Sequence, residues 1–462
     1  MYRIKNLVPQ SIKNIYHLAQ AVLANVVYGF PSRKIKVIGV TGTDGKTTTV
    51  QMITQILEEA GSLVKTGVHG ARKVAMASTI NFKINGVEEK NLSHFTTESA
   101  FALQKFIRKS VEQGCEYLVL ETSSHALDQH RVWGVQYQTA VITNVTREHL
   151  DYHKTMEKYR EAKKKLFKTV AKNKGTIIVN ADMEKPEEFL DFDVDKKFAY
   201  TTNLEKNADL DSRPPATIAF RAGLRGNDKE GSGMINEGIQ IVQAKNVKLG
   251  IDCSSYELLA TSYELNIPGL FNIENALAAM CVGLSEDIKL ETIKDALAKI
   301  KGVAGRMEAI ENDLGLHIFV DFALTPNALE RLYSTLFQAK KSDTRIIAIF
   351  GSCGDRDRGK RPVMGEVVSK YADFVILTND EPYHEKPEQI IEEIAVGIKN
   401  KIEGQNFWKI IDRRDAIKKA LEIAQAGDII CITGMGNFET MVVGDKKIPW
   451  NDRNVIEEEL AR

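Results

Sequence analysis

The chain has 462 residues, which is enough for two or three domains of ordinary size and several hydrophobic cores. Its 62 lysines and arginines balance 62 aspartates and glutamates, and this neutrality argues against a general nucleic-acid or polyanion binder. A 43% hydrophobic share excludes a disordered or fibrous chain, and five scattered cysteines without CxxC spacing disfavour a disulfide framework or zinc site, so we expect a cytoplasmic enzyme.

Residues 1–36 predict an N-terminal helical segment. Ile12, Ile15, Ala19, Val22 and Val26 recur at steps of three and four residues, which is the period of an amphipathic helix. Polar residues interrupt the run too often for a signal peptide or a membrane span. We expect this helix to pack on the body of the protein, and docking on a membrane surface or a partner is the alternative.

From Ile35 onward, short apolar runs alternate with helical stretches, which predicts a mostly parallel sheet covered by helices. Polar residues follow three of these runs, which end near Val40, Leu120 and Thr143. Ligands of open α/β sheets bind at such carboxyl ends. Between residues 204 and 266, glycine, asparagine and serine are frequent and the alternating segments are short, which predicts an antiparallel flank. Strand-like runs at 316–321, 345–350, 374–378 and 428–433 predict a second α/β series.

The expected organisation therefore has three parts. The helical segment covers 1–36, a central P-loop ATPase domain covers 37–304, and a C-terminal Rossmann-like α/β domain covers 305–462.

The most specific local motif is Gly42-Thr43-Asp44-Gly45-Lys46-Thr47-Thr48, between a predicted strand and the helical stretch 50–60. Backbone N–H groups of such a turn point at phosphate oxygens, the lysine supplies charge, and the first threonine hydroxyl can ligate Mg²⁺. Val40 stands where the first glycine of GxxxxGK would be. We predict a nucleotide site, and the loop alone also allows a hydrolytic motor or a GTP switch.

This variant loop, TGTxGKTTT, resembles the ATP loop of the Mur ligase family, the ATP-dependent peptide ligases of cell-wall synthesis. Six further segments agree in order, and they resemble the branch that adds the third residue of the stem peptide. The resemblance runs from about Val37 to the C-terminus. The segments are ETSSHAL (121–127), NVTREHLDYH (144–153), GLFNIENA (269–276), GRME (305–308), DFALTP (321–326) and GDRD (354–357) with KRP (360–362).

The resemblance implies that the γ-phosphoryl of ATP moves onto a substrate carboxylate before an amine displaces phosphate. Two anions must meet, so the reaction needs Mg²⁺ and oxygen ligands such as Thr47 and Glu121. It further implies that His149 and a carbamylated Lys163 hold a second Mg²⁺, which requires a lowered lysine pKa. From the residues alone, Lys163 would lie on a solvated basic helix face, while His149 and Glu121 would serve helix starts.

The same correspondence assigns Asn272 and Arg306 to the nucleotide and Asp321 to its ribose. Without it, Asn272 would be a helix cap and Arg306 an interdomain ion-pair partner. The remaining assignments concern the substrates. The acceptor residues are Thr96, Thr97, Ser123, Gln129 and Arg131, and the amino-acid residues are Asp380, Glu381, Tyr383 and Glu439.

Two departures from the family pattern alter the expected substrates. Only 40 residues precede Thr41, below the roughly 50 residues of an independent domain, so we expect no complete uridine-binding domain and little dependence on uridine. Leu324 replaces a usual histidine, and the usual G-K-G-H-E reads GMGNFE (434–439), with one extra residue. We therefore expect a changed amino-acid pocket.

The segment Asp380-Glu381-Pro382-Tyr383 also lacks the arginine that goes with meso-diaminopimelate in the family, and Glu385 follows it. Acidic surroundings repel a distal carboxylate and favour a distal ammonium, so we expect L-lysine or L-ornithine as the incoming amino acid. The alternative is that Glu381 and Glu385 face solvent beside a proline turn.

We expect a monomeric, ATP- and Mg²⁺-dependent ligase that adds an amino acid to the D-glutamate carboxylate of a muramyl dipeptide-type acceptor through an acyl phosphate. One alternative is a ligase for another γ-glutamyl or polyamide acceptor, similar to folylpolyglutamate synthetase. Another is a non-catalytic ATP-binding regulator. The sequence leaves open which amino acid is added and whether the acceptor carries UDP, a lipid or another carrier.

Overall fold

The computed structural model describes residues 10–62, 72–93, 95–203, 238–259 and 261–462. Helix α1 (Gln10–Tyr28) and a 3-10 turn (Pro31–Lys34) precede the first strand. The helix packs on the body through the fully buried side chains of Ala21 and Ala24. The N-terminal helix thus packs on the body, but through small residues, because the periodic apolar residues Ile12, Ile15, Val22 and Val26 stay exposed. The part of the predicted segment before Gln10 lies outside the described residues.

Within the described residues, the first sheet has nine strands in the order β4-β3-β2-β5-β1-β6-β7-β8-β9. Its first two strands form an antiparallel hairpin, and the other seven run parallel. The strands at the centre are buried on both sides, as parallel sheets require. Their bounds are β1 (Lys36–Thr41), β2 (Val74–Ala77), β3 (Asn81–Ile84), β4 (Val87–Lys90), β5 (Tyr117–Glu121), β6 (Tyr137–Ile142), β7 (Thr176–Asn180), β8 (Lys196–Thr201) and β9 (Ile239–Gln243).

Helices cover both faces of this sheet, and each face has its own hydrophobic core. On one face, Ile53 of α2 packs with Ile273 of α8 and Ile293 of α9. On the other, Leu103 of α3 belongs to the same core as Leu166 of α6. The helices are α2 (Lys46–Ser62), α3 (Ala100–Glu112), α4 (Ser124–Asp128), α5 (Leu150–His153), α6 (Met156–Lys172), α7 (Glu187–Leu190), α8 (Leu270–Ser285) and α9 (Leu290–Ala298).

The region expected to form an antiparallel flank divides into two kinds of structure. Strands β10 (Lys245–Leu249), β11 (Ser254–Leu258) and β12 (Thr261–Leu265) form a separate antiparallel sheet, which confirms the expectation for this part. The expectation is wrong for β9, because it pairs in parallel with β8 and extends the main sheet. Residues 204–237 lie outside the described ranges.

The second sheet has six strands in the order β13-β14-β18-β15-β16-β17, and only β13 runs antiparallel to its neighbour. The four predicted strands are found within one residue at each end. The shorter strands and the hairpin β19-β20 were not predicted, because three or four residues carry little periodicity. The strands are β13 (Glu308–Ile310), β14 (His317–Asp321), β15 (Ile346–Phe350), β16 (Phe374–Leu377), β17 (Phe407–Lys409), β18 (Ile429–Thr433), β19 (Thr440–Val443) and β20 (Lys446–Pro449).

Five helices accompany this sheet, and their apolar faces complete two further cores. No helix in the described ranges combines the length and apolar character needed to cross a membrane. The helices are α10 (Pro326–Ala339), α11 (Lys360–Tyr371), α12 (Pro387–Ala395), α13 (Arg413–Ile423) and α14 (Asp452–Leu460).

Candidate active site

The glycine-containing loop leaves β1 at the centre of the first sheet and ends where α2 begins, at Lys46. Gly42 has φ 152°, and a Cβ there would lie 1.8 Å from Oγ1 of Thr143, so only glycine fits. The N–H groups of Thr43 and Asp44 donate to Oδ1 of Asn144 at 3.2 and 2.9 Å. The end of β6 therefore holds the loop in shape.

Lys46 and Thr47 stand at the start of α2, where the helix N-terminus favours negative charge. The Lys46 ammonium donates to the Thr43 carbonyl at 2.8 Å. The Thr47 hydroxyl donates to Oε2 of Glu121 at 3.1 Å, and that carboxylate also accepts from the N–H and hydroxyl of Thr79 at 2.8 and 2.9 Å. The loop and strand β5 thus bring the start of α2 and a buried carboxylate together.

Lys163 is buried, with 1% of its surface exposed, so it does not lie on a solvated helix face. Its ammonium donates to the Gly42 carbonyl at 2.7 Å and lies 4.4 Å from the centroid of the Tyr159 ring. Burial, assisted by the positive charge of Lys46, holds the pKa of Lys163 well below its usual range. The next two lysines instead form ion pairs, Lys164 with Glu188 and Lys165 with Asp128.

His149 occupies the residue before α5 in a left-handed conformation with φ 57°, and its side chain makes no capping hydrogen bond. Its ring lies 4.7 Å from that of His125, centroid to centroid. Desolvation by the surrounding groups and the positive charges of His125 and Lys163 lower the pKa of His149, although the residue is exposed at the surface. The neutral imidazole is the form that ligates metals.

Whether these four side chains suit Mg²⁺ is decided by their donor atoms. Thr47 and Glu121 offer a hydroxyl and a carboxylate oxygen 3.1 Å apart, which are hard ligands of the kind Mg²⁺ prefers. An unmodified lysine ammonium offers no lone pair, whereas a carbamate offers oxygen. In the described part of the chain, no three His, Cys, Asp or Glu side chains gather as metal ligands. The set fits Mg²⁺ through Thr47 and Glu121.

The C-terminal domain brings two predicted residues toward the loop. Asp321 ends β14, and its carboxylate accepts from the N–H groups of Met307 and Ala323 at 2.7 and 2.8 Å. The Arg306 guanidinium lies 4.5 Å from the Phe322 ring centroid, and the charges of Asp321, Glu121 and Asp44 partly offset the lowering of its pKa by burial. Arg306 therefore lies near these three acidic groups, and in the described part of the chain its guanidinium forms no ion pair with them but donates to the Gly305 carbonyl at 2.9 Å.

Asn272 lies in the first turn of α8, where its side chain donates to the Pro268 carbonyl at 2.7 Å. That bond is a local one within the helix start. Asn275, one turn later, accepts from the Thr49 hydroxyl at 3.2 Å and would clash with a Cβ at Gly45. The nearby residue Asn275, which was not predicted, thus makes the direct contact with the loop and α2.

A cavity of about 420 Å³ opens beside the loop. It is bounded by the ends of β6 and β7 and by α8 and α10, so both domains contribute to it. Asn327 of α10 also reaches across to the Asp44 carboxylate at 3.3 Å. The cavity is lined by Asn144, Arg147, Asn180, Asp182, Glu274 and Arg331, among others.

The predicted acceptor residues lie on the other side of Glu121. The Thr97 hydroxyl donates to the Glu121 carbonyl at 2.9 Å and accepts from the Ser123 N–H at 3.0 Å. The Arg131 guanidinium donates to the Thr97 carbonyl, and burial lowers its pKa. Thr96 adjoins this group, and Gln129 closes α4 through its N–H. Residues from β5, from α4 and from the segments around Thr97 and Arg131 thus meet beside Glu121.

Three of the predicted amino-acid residues, Asp380, Glu381 and Tyr383, follow β16, and Asp380 and Glu381 are both buried. Burial raises the pKa of Asp380 to about 6 and that of Glu381 to about 7. The Tyr383 hydroxyl and the Val442 N–H donate to the Glu381 carboxylate at 3.2 and 3.3 Å. Glu381 therefore does not face solvent.

Two other acidic residues of this region are neutralised by cations. Both oxygens of Glu385 accept from the fully buried Arg361 at 2.9 Å. Glu439 forms an ion pair with Lys90 of β4 at 2.6 Å, which joins the two domains. The expectation that Glu385 adds uncompensated negative charge to the pocket is wrong, because Arg361 and Arg358 together balance Glu385 and Glu393. Asp380 and Glu381 are left as the acidic groups of the segment.

Several site residues were missed from the sequence because their contacts join distant parts of the chain. Asn144 follows a strand at the same sheet edge as the loop, and that position was a usable signal. Thr79, Asn275 and Asn327 carry no local motif that marks them, and their partners are 42 to 283 residues away.

A phosphate-binding loop in a parallel sheet, with a second α/β domain that reaches it, defines a two-domain nucleotide-binding enzyme. Two family models match the chain: the Mur ligase middle domain over residues 40–283, and the Mur ligase glutamate ligase domain over 305–436. The chain belongs to the Mur ligase family.

Relatives within that family agree over most of the chain. A Clostridium botulinum UDP-N-acetylmuramoyl-L-alanyl-D-glutamate–2,6-diaminopimelate ligase is 38% identical over 95% of this chain and 81% of its own length. A Roseiflexus UDP-N-acetylmuramyl-tripeptide synthetase is 35% identical over 94% and 80%. A solved 2,6-diaminopimelate ligase of the same type has a TM-score of 0.58 at 28% identity, covering 92% of this chain and 78% of that one.

Proposed function

We propose that this ligase joins an amino acid to the D-glutamate carboxylate of a muramyl dipeptide-type acceptor, at the expense of ATP, in peptidoglycan precursor synthesis. The observation that supports it is a continuous path across β5. The Thr47 hydroxyl, beside the glycine-containing loop, donates a hydrogen bond to the Glu121 side chain. The hydroxyl of Thr97, one of the predicted acceptor residues, donates to the Glu121 carbonyl. A phosphoryl group and an acceptor carboxylate bound on the two sides of Glu121 would be neighbours.

The reaction then has two steps. An oxygen of the acceptor carboxylate attacks the γ-phosphorus of ATP, ADP leaves, and an acyl phosphate forms. The neutral amine attacks the acyl carbon, phosphate leaves with the electron pair of the broken C–O bond, and the amine gives up a proton. Lys46 and the loop N–H groups stabilise charge on the transferred phosphoryl, and Arg131 orients the acceptor.

The metal assignment is a part of this proposal. We assign Mg²⁺ to Thr47 and Glu121, and a second Mg²⁺ to His149 and carbamylated Lys163. When bound, the ions neutralise phosphate and carboxylate oxygens. The low pKa of Lys163 supports the carbamate, because only the neutral amine adds to CO₂.

The nucleotide assignment uses the cavity beside the loop. We assign the base to that cavity, Asp321 to the ribose, and Asn272 and Arg306 to the rest of the nucleotide, with Asn275 beside Asn272 supporting the loop. We further propose a cytoplasmic, monomeric enzyme.

Arg131→Gln is expected to raise KM for the acceptor about 10- to 100-fold, because a hydrogen bond to a charged group is worth roughly 1.5–3 kcal/mol. KM for ATP should change little, since Arg131 bonds Thr97 on the acceptor side of Glu121. Steady-state kinetics with each substrate varied in turn measures both constants. An equal rise in both would remove Arg131 from the acceptor site.

For the incoming amino acid we propose L-lysine or L-ornithine. Buried Glu381 would pair with a distal ammonium and repel a distal carboxylate. Because the pKa of Glu381 is about 7, its anionic fraction grows between pH 6 and 8, and selectivity for lysine over meso-diaminopimelate should grow with it. Competing L-lysine, L-ornithine and meso-diaminopimelate in one ligation and weighing the products tests this. Predominance of the diaminopimelate adduct contradicts the proposal.

The experiment that tests the function itself supplies ATP, amino acid and one of three acceptors: UDP-muramyl dipeptide, its lipid-linked form, or a simple γ-glutamyl peptide. We expect amine-dependent phosphate release with a new amide mass from a muramyl acceptor. ATP binding without any amide would indicate a regulator, and an amide only on the γ-glutamyl peptide would indicate a different acceptor class.

A further inference from the structure

Helix α1 turns its apolar face away from the protein. The side that meets the body holds small or polar residues, namely Ala21, Ala24 and Asn25. The outward side carries large apolar residues with a third to two thirds of their surface exposed. They are Ile12, Ile15, Tyr16, Val22, Leu23, Val26 and Val27, and we name them the α1 stripe.

The α1 stripe runs the length of a 19-residue helix, about 28 Å. Monomeric proteins seldom expose a continuous apolar surface of this kind unless it meets a partner or a membrane. Asn25 ties the helix to the body, because its side-chain amide donates to the Trp133 carbonyl at 2.8 Å, besides a bond within the helix to the Ala21 carbonyl. The helix is therefore fixed to the body by one side and presents the other.

Charge identifies what this surface fits. Residues 1–36 contain six lysines and arginines and no aspartate or glutamate; among those that the structure describes, Lys36 pairs with Glu286, which leaves Lys13, Arg33 and Lys34 as the cations beside the stripe. Lys13 lies near the start of the stripe, and Arg33 and Lys34 follow its end. Two copies of the stripe brought together in either direction would oppose these cations to one another, and like charges at an interface are unfavourable.

We propose that the α1 stripe docks on an anionic lipid surface, with the apolar side chains entering the headgroup boundary and the flanking cations meeting lipid phosphates. Such a surface supplies an apolar region for the α1 stripe and negative charge for the flanking cations. Membrane docking is independent of the ligase reaction, but α1 lies close to the predicted acceptor residues. Asn14 donates to the Asp128 carbonyl at 3.3 Å, so α1 adjoins the helix that Ser123 caps in the acceptor group.

The test is flotation of the full chain with phosphatidylglycerol–phosphatidylcholine vesicles and with phosphatidylcholine vesicles alone. We expect co-flotation with the anionic vesicles, weakened by salt. Leu23→Glu with Val26→Glu should reduce the bound fraction at least tenfold, and Arg33→Gln with Lys34→Gln should reduce it severalfold. Val396→Glu is the matched control, since Val396 is 74% exposed on the C-terminal domain, and it should bind as the unmodified chain does.

A second readout does not depend on the variants. Trp133 adjoins α1 and keeps 39% of its surface exposed, so brominated lipids should quench its fluorescence, and Trp133→Phe should lose that quenching. Absence of flotation and quenching overturns the proposal. So does a dimer in sedimentation velocity that Leu23→Glu with Val26→Glu dissociates, because the stripe would then bind a second copy. Ligation of a water-soluble acceptor, measured on the same variants, should be unchanged and reports separately on the proposed function.

Discussion

Lys46→Ala is expected to lower the rate of amide formation by roughly 10³-fold or more, the largest effect of any single substitution in this protein. Lys46 begins α2, and its ammonium is held over the loop by the Thr43 carbonyl at 2.8 Å. Charge develops on the phosphoryl group as it moves from ATP to the carboxylate. The alanine variant keeps the loop but loses the positive charge placed to stabilise it.

The measurement is the rate of amide formation under saturating ATP, with thermal unfolding to confirm that the variant folds. Lys36→Ala is the matched control. Lys36 begins strand β1, at the end of that strand away from the loop, and it pairs with Glu286 at 2.8 Å on the surface. Its rate should stay within about twofold, as expected for an exposed ion pair. Undiminished amide formation by Lys46→Ala would show that the loop does not serve phosphoryl transfer.

Lys163→Ala is expected to lose most of the activity and to regain part of it when a small carboxylate such as acetate is added. The reason is the position of Lys163 under the loop, bonded to the Gly42 carbonyl at 2.7 Å and desolvated beside Lys46. If a carbamate forms there, the substitution removes an anionic oxygen group, and acetate can occupy the space. A purely structural lysine would not be replaced by a carboxylate.

Lys168→Ala is the matched control, since Lys168 lies on the same helix, is 54% exposed and pairs only with Glu161 in the described contacts. It should be nearly silent. Carbon-13 NMR of the unmodified chain equilibrated with labelled bicarbonate gives a readout besides activity, with a carbamate resonance that Lys163→Ala lacks. No resonance and no rescue by acetate would assign Lys163 a structural role.

The sequence predicts well those parts of the fold that depend on a local pattern of residues. The strands around the loop and the four long strands of the second domain are apolar runs with clear ends, and the loop's glycines are needed where Gly42 approaches Thr143. Strand β9 was assigned to the wrong kind of sheet because its five residues do not specify which neighbour they pair with.

The candidate site follows the same rule. Strand ends placed Glu121 and the loop at one edge, but composition made Lys163 a surface residue, and only packing of α6 against the loop decides its burial. The charge of Glu385 was misjudged because Arg361 reaches this loop residue from helix α11. Burial and long-range pairing depend on the whole chain, so no local pattern predicts them.

Transfer of oxygen from the acceptor to phosphate tests the central claim most directly. The acceptor's glutamate carboxylate is labelled with oxygen-18, and ligation is run to completion with unlabelled ATP and amino acid. An acyl phosphate requires that one labelled oxygen leave with each phosphate released and that one remain in the amide. Mass spectrometry of the phosphate should therefore find one oxygen-18 per molecule, whereas unlabelled phosphate would contradict phosphorylation of that carboxylate.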